Sequence, residues 1–289
     1  MKLVSLRQAG PAAHRVGAAL ALALCLAFSA PISPALAAGP DFSWNADLAA
    51  GKTIYVYGID GHITASRSHS RQASVTAVKL GRDSNFDRVR IEATPSAEGV
   101  TVCALYPLKH GGQATCQPGH YHSNGEMEDV KVQVDFTIQV PDGVNLEVGN
   151  VNGGIDALDL ASDLEVRTVN GSIHATSSGL VEAETVNGSI TAAMGKGTWD
   201  RLVRFETVNG SVHLQLPHEV NADLTASSVN GSISSDFPVY IEGKFMGRSG
   251  KISGTLGKGG SDLRIATVNG SIVISREGGS GTGSSGKKI

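Results

Sequence analysis

One pentapeptide, Val-Asn-Gly-(Ser/Gly)-(Ile/Val), occurs six times in this chain. It reads VNGGI at 151–155, VNGSI at 169–173, 186–190, 229–233 and 268–272, and VNGSV at 208–212. Its asparagines, Asn152, Asn170, Asn187, Asn209, Asn230 and Asn269, are separated by 18, 17, 22, 21 and 39 residues. The last interval is about twice the others and implies a copy that has lost its Asn-Gly, with 248–252 as the candidate. A period of about 20 residues is too short for a strand and a helix together. It suits one winding of a β-solenoid, in which each repeat buries its apolar face only against its neighbours.

Each position of the motif has a physical reason. Asn and Gly tolerate positive φ, so Asn152 with Gly153, Asn170 with Gly171, Asn187 with Gly188, Asn209 with Gly210, Asn230 with Gly231 and Asn269 with Gly270 are predicted to form tight corners of that backbone type. The third residue after each Asn is β-branched (Ile155, Ile173, Ile190, Val212, Ile233, Ile272) and suits a packed, pleated surface. Before each corner the sequence alternates, as in Leu164-Glu165-Val166-Arg167-Thr168. Asn-Gly between alternating stretches also fits a hairpin turn, so an antiparallel meander is the rival of the solenoid. The expectation is an all-β, single-stranded parallel β-helix (β-solenoid), right-handed as parallel crossovers are. It would have about 20 residues per coil and a β-rich N-terminal cap. Asparagines and β-branched residues would then stack as ladders along the axis.

Four segments follow from the rest of the chain. Residues 1–37 carry Lys2, Arg7 and Arg15, an Ala/Leu-rich apolar run over 16–30, and a small-x-small triplet at 35–37. This is the pattern of a signal peptide. The run is shorter than a membrane span, so the chain after cleavage is not expected to cross a membrane. Removing these three basic residues takes the net charge from −3 to −6, which gives no reason to expect nucleic acid. Residues 38–145 read as an N-terminal β region, either first coils or a cap. The clearest strand there places Val130, Val132, Val134, Phe136, Ile138 and Val140 on one face. Residues 146–276 hold the repeats, and 277–289 read as a flexible Gly/Ser tail. After the leader only Cys103 and Cys116 remain, an even pair in an oxidising compartment, which favours a disulfide. Nearby His110, His120 and His122 leave a metal site as the rival, although the spacing matches no usual zinc pattern.

The chain resembles the bacterial putative-adhesin family of β-strand-repeat proteins, exported proteins similar in style to autotransporter-adhesin head domains. The likeness rests on TVNGSI at 168–173, 185–190 and 267–272 with TVNGSV at 207–212. It also rests on VTVCALYP at 100–107, VDFTIQVPDGV at 134–144, SISSDFP at 232–238 and SGTLGKGGSDLRIATVNGSI at 253–272. It covers nearly all of the chain after the leader. It implies a β-solenoid and an adhesin label that comes from fold-level analogy, and it brings no catalytic residues with it.

Reactive groups do not gather in the sequence. Asp156, Asp159 and Asp163 lie close together but do not recur in later repeats, so stacking them builds no carboxylate row. No Gly-x-Ser-x-Gly elbow, phosphate loop or dinucleotide fingerprint is present. His174 and His213 fall one residue past the β-branched ladder, an outward position. Trp199, in the longer GKGTWDRL stretch, is the residue named for possible binding, with packing against the coil as its alternative. Phe245 and Met246 beside Tyr240 are read as packing. The expectation is therefore a non-enzymatic, exported, adhesin-like scaffold at the periplasm or cell surface, without cofactor or metal. Its partner is unidentified, with a cell-envelope glycan or a surface protein as candidates. A carbohydrate-active β-helix enzyme of polysaccharide lyase or glycosidase type is the alternative. It would be favoured if three or more charged side chains converged in one cleft.

Overall fold

Alternating β-branched and polar residues produce strands along most of the chain in the computed structural model, which describes residues 40–81, 86–112, 114–123, 125–242 and 250–278. Residues 1–37, read above as a signal peptide, Phe245, Met246 and residues 279–289 lie outside the described residues. In Val132–Val140 every second side chain is buried and the others reach solvent, as period-two alternation requires. The single helical element among the described residues is a three-residue turn, Phe86–Arg88. No helix there is long and apolar enough to cross a membrane.

Two long sheets hold nearly all the strands, and in each of them eight successive strands run parallel. The first sheet orders them Val132–Val140, Ile63–Arg67, Ile155–Leu160, Ile173–Ser177, Ile190–Met194, Val212–Leu216, Ile272–Arg276 and Ile233–Ser235. The second orders them Gly99–Leu105, Thr53–Tyr57, Asn145–Gly149, Leu164–Arg167, Val181–Glu184, Val203–Asn209, Ser261–Asn269 and Ala222–Asn230. Each strand of the second sheet leads into its counterpart in the first, and the two together form one layer. Pairing is parallel and in register, with Ile155 beside Ile173, Ile173 beside Ile190 and Ile190 beside Val212, which decides against an antiparallel meander.

The β-branched ladder supplies the core between the sheets. Ile63, Ile155, Ile173, Ile190, Val212 and Ile272 are fully buried, each worth roughly 1.5–3 kcal/mol relative to exposure. Opposite them Leu146, Leu164 and Val181 form one column, and Val148, Val166, Ala183 and Phe205 form the next. Ile233, in the outermost layer, is only partly buried.

Close stacking, not positive φ, accounts for the corners. Among the described residues Asp159 is the one non-glycine residue with left-handed φ, at 57°, and of the six corner glycines only Gly153 has it. The asparagines contribute through their side chains. Asn170 donates its amide Nδ2 to Asn152 Oδ1 at 2.8 Å, Asn187 donates to Asn170 at 2.8 Å, and Asn209 to Asn187 at 2.8 Å. Asp60 ends this ladder by accepting from Asn152 at 2.7 Å. The glycines let successive backbones touch. A Cβ on Gly188 would lie 1.9 Å from the Gly171 carbonyl oxygen, and one on Gly210 would lie 1.9 Å from that of Gly188. Threonines fasten the same point from inside, because Thr185 Oγ1 donates to Gly171 O at 3.0 Å and Thr207 Oγ1 to Gly188 O at 2.8 Å.

At both ends the stacking order departs from the order along the chain. The winding built from Ser261–Asn269 and Ile272–Arg276 lies between the 203–216 layer and the 222–235 layer. At the other end the 53–67 layer lies between the layer of Gly99–Leu105 with Val132–Val140 and the layer that starts at Asn145. The first and last windings of the chain are thus each covered by an internal one. Antiparallel strands extend both ends: Gln72–Gly81 and Phe42–Asp47 on the first sheet, Arg90–Pro95 on the second, and Gly250–Leu256 with Tyr240–Glu242 at the far end of the second. This corrects the reading of the 39-residue interval. Gly250, Lys251 and Ile252 are no degenerate corner, because they begin a strand antiparallel to Ala222–Asn230, and the winding beside Asn209 is the one that carries Asn269.

Candidate functional site

A groove of about 760 Å³ runs along the outside of the corners. Its section repeats because three consecutive residues of each layer build it. The first, on the outer face of the second sheet, is Gly149, Arg167, Glu184, Glu206, Ala266 or Ser227. The second points inward and forms the floor, as Thr168, Thr185, Thr207 and Thr267 do, all of them buried. The third is the valine before each asparagine. Val169, Val186, Val208 and Val268 are each 39–40% exposed and Val229 is 51% exposed, so the motif that builds the core also leaves an apolar stripe on the surface.

Tyr57, Ile59, Tyr121 and Met127 line one end of the groove. The 106–131 segment that carries Tyr121 and Met127 is tied down by the Cys103–Cys116 disulfide, whose Cα atoms are 6.4 Å apart. Gly119 N donates to Tyr57 Oη at 2.7 Å, and Tyr57 Oη donates to Glu147 Oε1 at 2.7 Å. Tyr121 Oη donates to Ala104 O at 3.1 Å. Burial raises all three nearby phenols, Tyr57, Tyr106 and Tyr121, the last to about 12, so they stay protonated donors at neutral pH. Asn150 closes the floor here. It is 7% exposed, its Nδ2 donates to Gly61 O at 2.8 Å, and its Oδ1 has no hydrogen-bond partner.

Stacking builds a carboxylate row, though from residues other than Asp156, Asp159 and Asp163. Glu147, Glu165 and Glu182 pair in register on the outer face of the second sheet, and Glu184 and Glu206 pair in the neighbouring column. The signal was present in the strands LEVR and VEAE, but it is visible only once those strands are aligned by layer. Four arginines lie against the row. Arg167 bonds Glu165 and lies 3.5 Å from Glu184, Arg201 bonds Glu182, Arg204 lies 3.6 Å from Glu182, and Arg264 lies 3.2 Å from Glu206. Burial raises the Glu165 carboxyl, and Arg167 only partly offsets that rise. Desolvation acts to lower the Arg167 guanidinium, but Glu165, Glu184 and Glu147 outweigh it and hold the group charged.

The profile of the Toastrack DUF4097 family matches residues 119–275, more than half of the chain. The chain belongs to the Toastrack DUF4097 family. The match begins in the segment that closes the groove and runs through all six motif copies, so the strands from Phe42 to Leu105 lie outside it. Two solved structures are similar to the Toastrack chain. A "putative cell adhesion protein" from Clostridium sporogenes ATCC 15579 has 12% identity over 82% of this chain and 99% of that one, with a TM-score of 0.42. A "putative adhesin" from Bacteroides fragilis NCTC 9343 has 12% identity over 81% and 96%, with a TM-score of 0.30. No curated protein matches the chain.

Other residues singled out in the Toastrack sequence lie away from the groove. Trp199 is partly buried against the core, its Nε1 donates to Asp262 O at 3.4 Å, and its carbonyl accepts from Ser261 Oγ at 2.5 Å. Asp156 bridges two histidines on the first sheet, with His62 Nε2 at 2.9 Å and His174 Nδ1 at 2.7 Å. Desolvation acts to raise the Asp156 carboxyl, but the hydrogen bonds with His174 and His62 outweigh it and the net shift is downward. Asp163 instead accepts from Leu180 N at 3.0 Å. Among the described residues no group of three His, Cys, Asp or Glu side chains is placed to hold a metal ion.

Proposed function

We propose that this chain is an exported, non-enzymatic, adhesin-like Toastrack scaffold that binds a component of the cell envelope along its corner groove. The observation that supports this reading is the repetition of one groove section, with threonine floor and valine edge, through the layers of Val169, Val186, Val208 and Val268, the first three with a charged rim residue as well. A surface built by repetition offers length and regularity to a partner, whereas catalysis needs one distinctive constellation. In this reading residues 1–37 direct export to the periplasm or cell surface, 38–145 form the first coils and cap, 146–276 form the repeat body and 277–289 form a tail. The winding is taken as a right-handed, single-stranded β-helix of about 20 residues per coil.

Arg167, Glu184 and Glu206 all line the groove, and this favours a carbohydrate-active enzyme as the second reading. Pairing of each carboxylate with an arginine weighs against it, because a glycosidase needs one free carboxylate and one carboxylic acid across the scissile bond. The test is co-sedimentation of the purified protein with isolated cell envelopes, beside a Val208→Asp variant. The proposal expects the wild type to sediment and the variant to stay in solution. Recovery of both in the supernatant removes the binding reading, and new reducing ends or unsaturated sugars released from the envelopes establish the enzyme.

A further inference from the structure

We infer that the groove takes a linear, neutral, β-linked glycan lying along the stack, with one pyranose ring per layer. This rests on the binding reading above and names its ligand class. Three observations carry it. The first is spacing. Layers of parallel strands recur every ~4.8 Å, close to the length of one pyranose in an extended β-1,4-linked chain, so over the four layers of Val169, Val186, Val208 and Val268 successive rings meet a threonine and a valine in turn. An extended peptide rises ~3.3 Å per residue and drifts out of step with the layers. It would also seek backbone partners, yet the floor hydroxyls already donate to glycine carbonyls, Thr267 Oγ1 to Gly210 O at 2.8 Å among them.

The second observation is the match of polarity. A β-linked pyranose has an apolar C–H face and a rim of hydroxyls. The groove presents an apolar edge of Val169, Val186 and Val208 against a polar rim. Glu184 shares Arg167 with Glu165 and Glu206 lies beside Arg264, so the rim carries no excess positive charge and suits a neutral polymer over an anionic one.

The third observation is independent of the repeat. Asn150 is almost wholly buried at the tyrosine-lined end, and its Oδ1 is an acceptor without a donor. Leaving such an atom unpaired is costly. Asn150 lines the groove, so a hydroxyl-bearing ligand seated there lies beside this residue. Tyr121, partly exposed, places an aromatic side chain at the same end, where a terminal ring can stack.

The experiment is titration calorimetry of the purified protein with cellohexaose and chitohexaose, with maltohexaose, whose α-linked chain coils, as the control. The inference expects at least one β-linked hexasaccharide to bind, with affinity rising from the trisaccharide to the hexasaccharide. It expects Val186→Asp and Asn150→Leu each to weaken binding at least tenfold while the unfolding midpoint of one of them stays near wild type. Equal binding of maltohexaose, or no binding of either β-linked chain, overturns it. Where envelopes still sediment the wild type but not Val208→Asp, no β-linked chain binds, and an envelope protein is recovered instead, the glycan inference fails and the binding scaffold stands. Failure to sediment at all removes the broader reading.

Discussion

Asn269 donates its side-chain amide to Asn209, 60 residues earlier, at 2.8 Å, and Asn230 donates to Asn269 at 2.9 Å. The last winding in sequence is therefore clamped between two earlier ones. Both its sheets are fully paired, with Val203–Asn209 and Ala222–Asn230 flanking it on one side of the molecule and Val212–Leu216 and Ile233–Ser235 on the other. A solenoid that ended on its last repeat would leave that repeat with one neighbour and a fraying edge.

Truncation after residue 260 should therefore cost more than loss of one terminal repeat. It removes the winding on which Ala222–Asn230 and Ile233–Ser235 rest, and exposes Phe205 and Leu214, now buried, on the new end. We expect the shortened chain to lose its cooperative unfolding transition or to unfold at a much lower urea midpoint. A midpoint within experimental error of wild type would show that the inserted layer carries no such load.

The two residues of a corner should respond differently to substitution. Asn209→Val removes two exposed amide bonds, one to Asn187 and one from Asn269, and should cost about 1–2 kcal/mol. Gly210→Ala puts a methyl 1.9 Å from the Gly188 carbonyl oxygen and forces two layers apart, which should cost ~3 kcal/mol or more. Urea unfolding of the pair checks the order. A valine variant less stable than the alanine variant would mean that the amide ladder, not the close approach, decides the corner.

The disulfide should hold the segment that closes the groove. In a chain that begins at residue 38, denatured without reductant, thiol titration should find no free thiol. Replacing Cys103 and Cys116 together by serine should cost roughly 3 kcal/mol, as expected for a loop of this length. If the groove end depends on this tether, the tyrosine fluorescence of the variant should also change, because Tyr57 and Tyr121 would lose their hydrogen bonds with Gly119 and Ala104.

Acid should weaken the first sheet through Asp156. A carboxyl whose folded pKa lies below its unfolded value adds stability that is present above the unfolded pKa, ~3.9 for Asp, and is lost as pH falls through the folded pKa. The downward shift at Asp156 has that sign. Asp156→Asn should lower the thermal midpoint at neutral pH, and the gap to wild type should narrow as pH falls below about 4. A gap that stays constant down to pH 2 would mean that the carboxylate charge adds nothing beyond its hydrogen bonds.

The sequence alone was enough for the strand content, the stacking of Asn-Gly corners and the burial of Ile173, Ile190 and Val212, because these follow from a period of two within strands and one of about 20 between them. The pairing of Cys103 with Cys116 was legible once residues 1–37, with Cys25, were read as a signal peptide. Tertiary structure decided the rest. Position in a repeat is local information, but the order in which layers stack is not, so nothing in the motif places Asn269 between Asn209 and Asn230. The reason for the corner glycine was hidden as well, since the obstructing atom, the carbonyl of Gly171 or Gly188, belongs to the layer below. Alignment by layer also turned Glu147, Glu165 and Glu182, scattered along the chain, into one column, and the valine before each asparagine into the open edge of a groove. Contacts between layers join residues whose separation along the chain is set by how the windings pack, and only the folded stack brings them together.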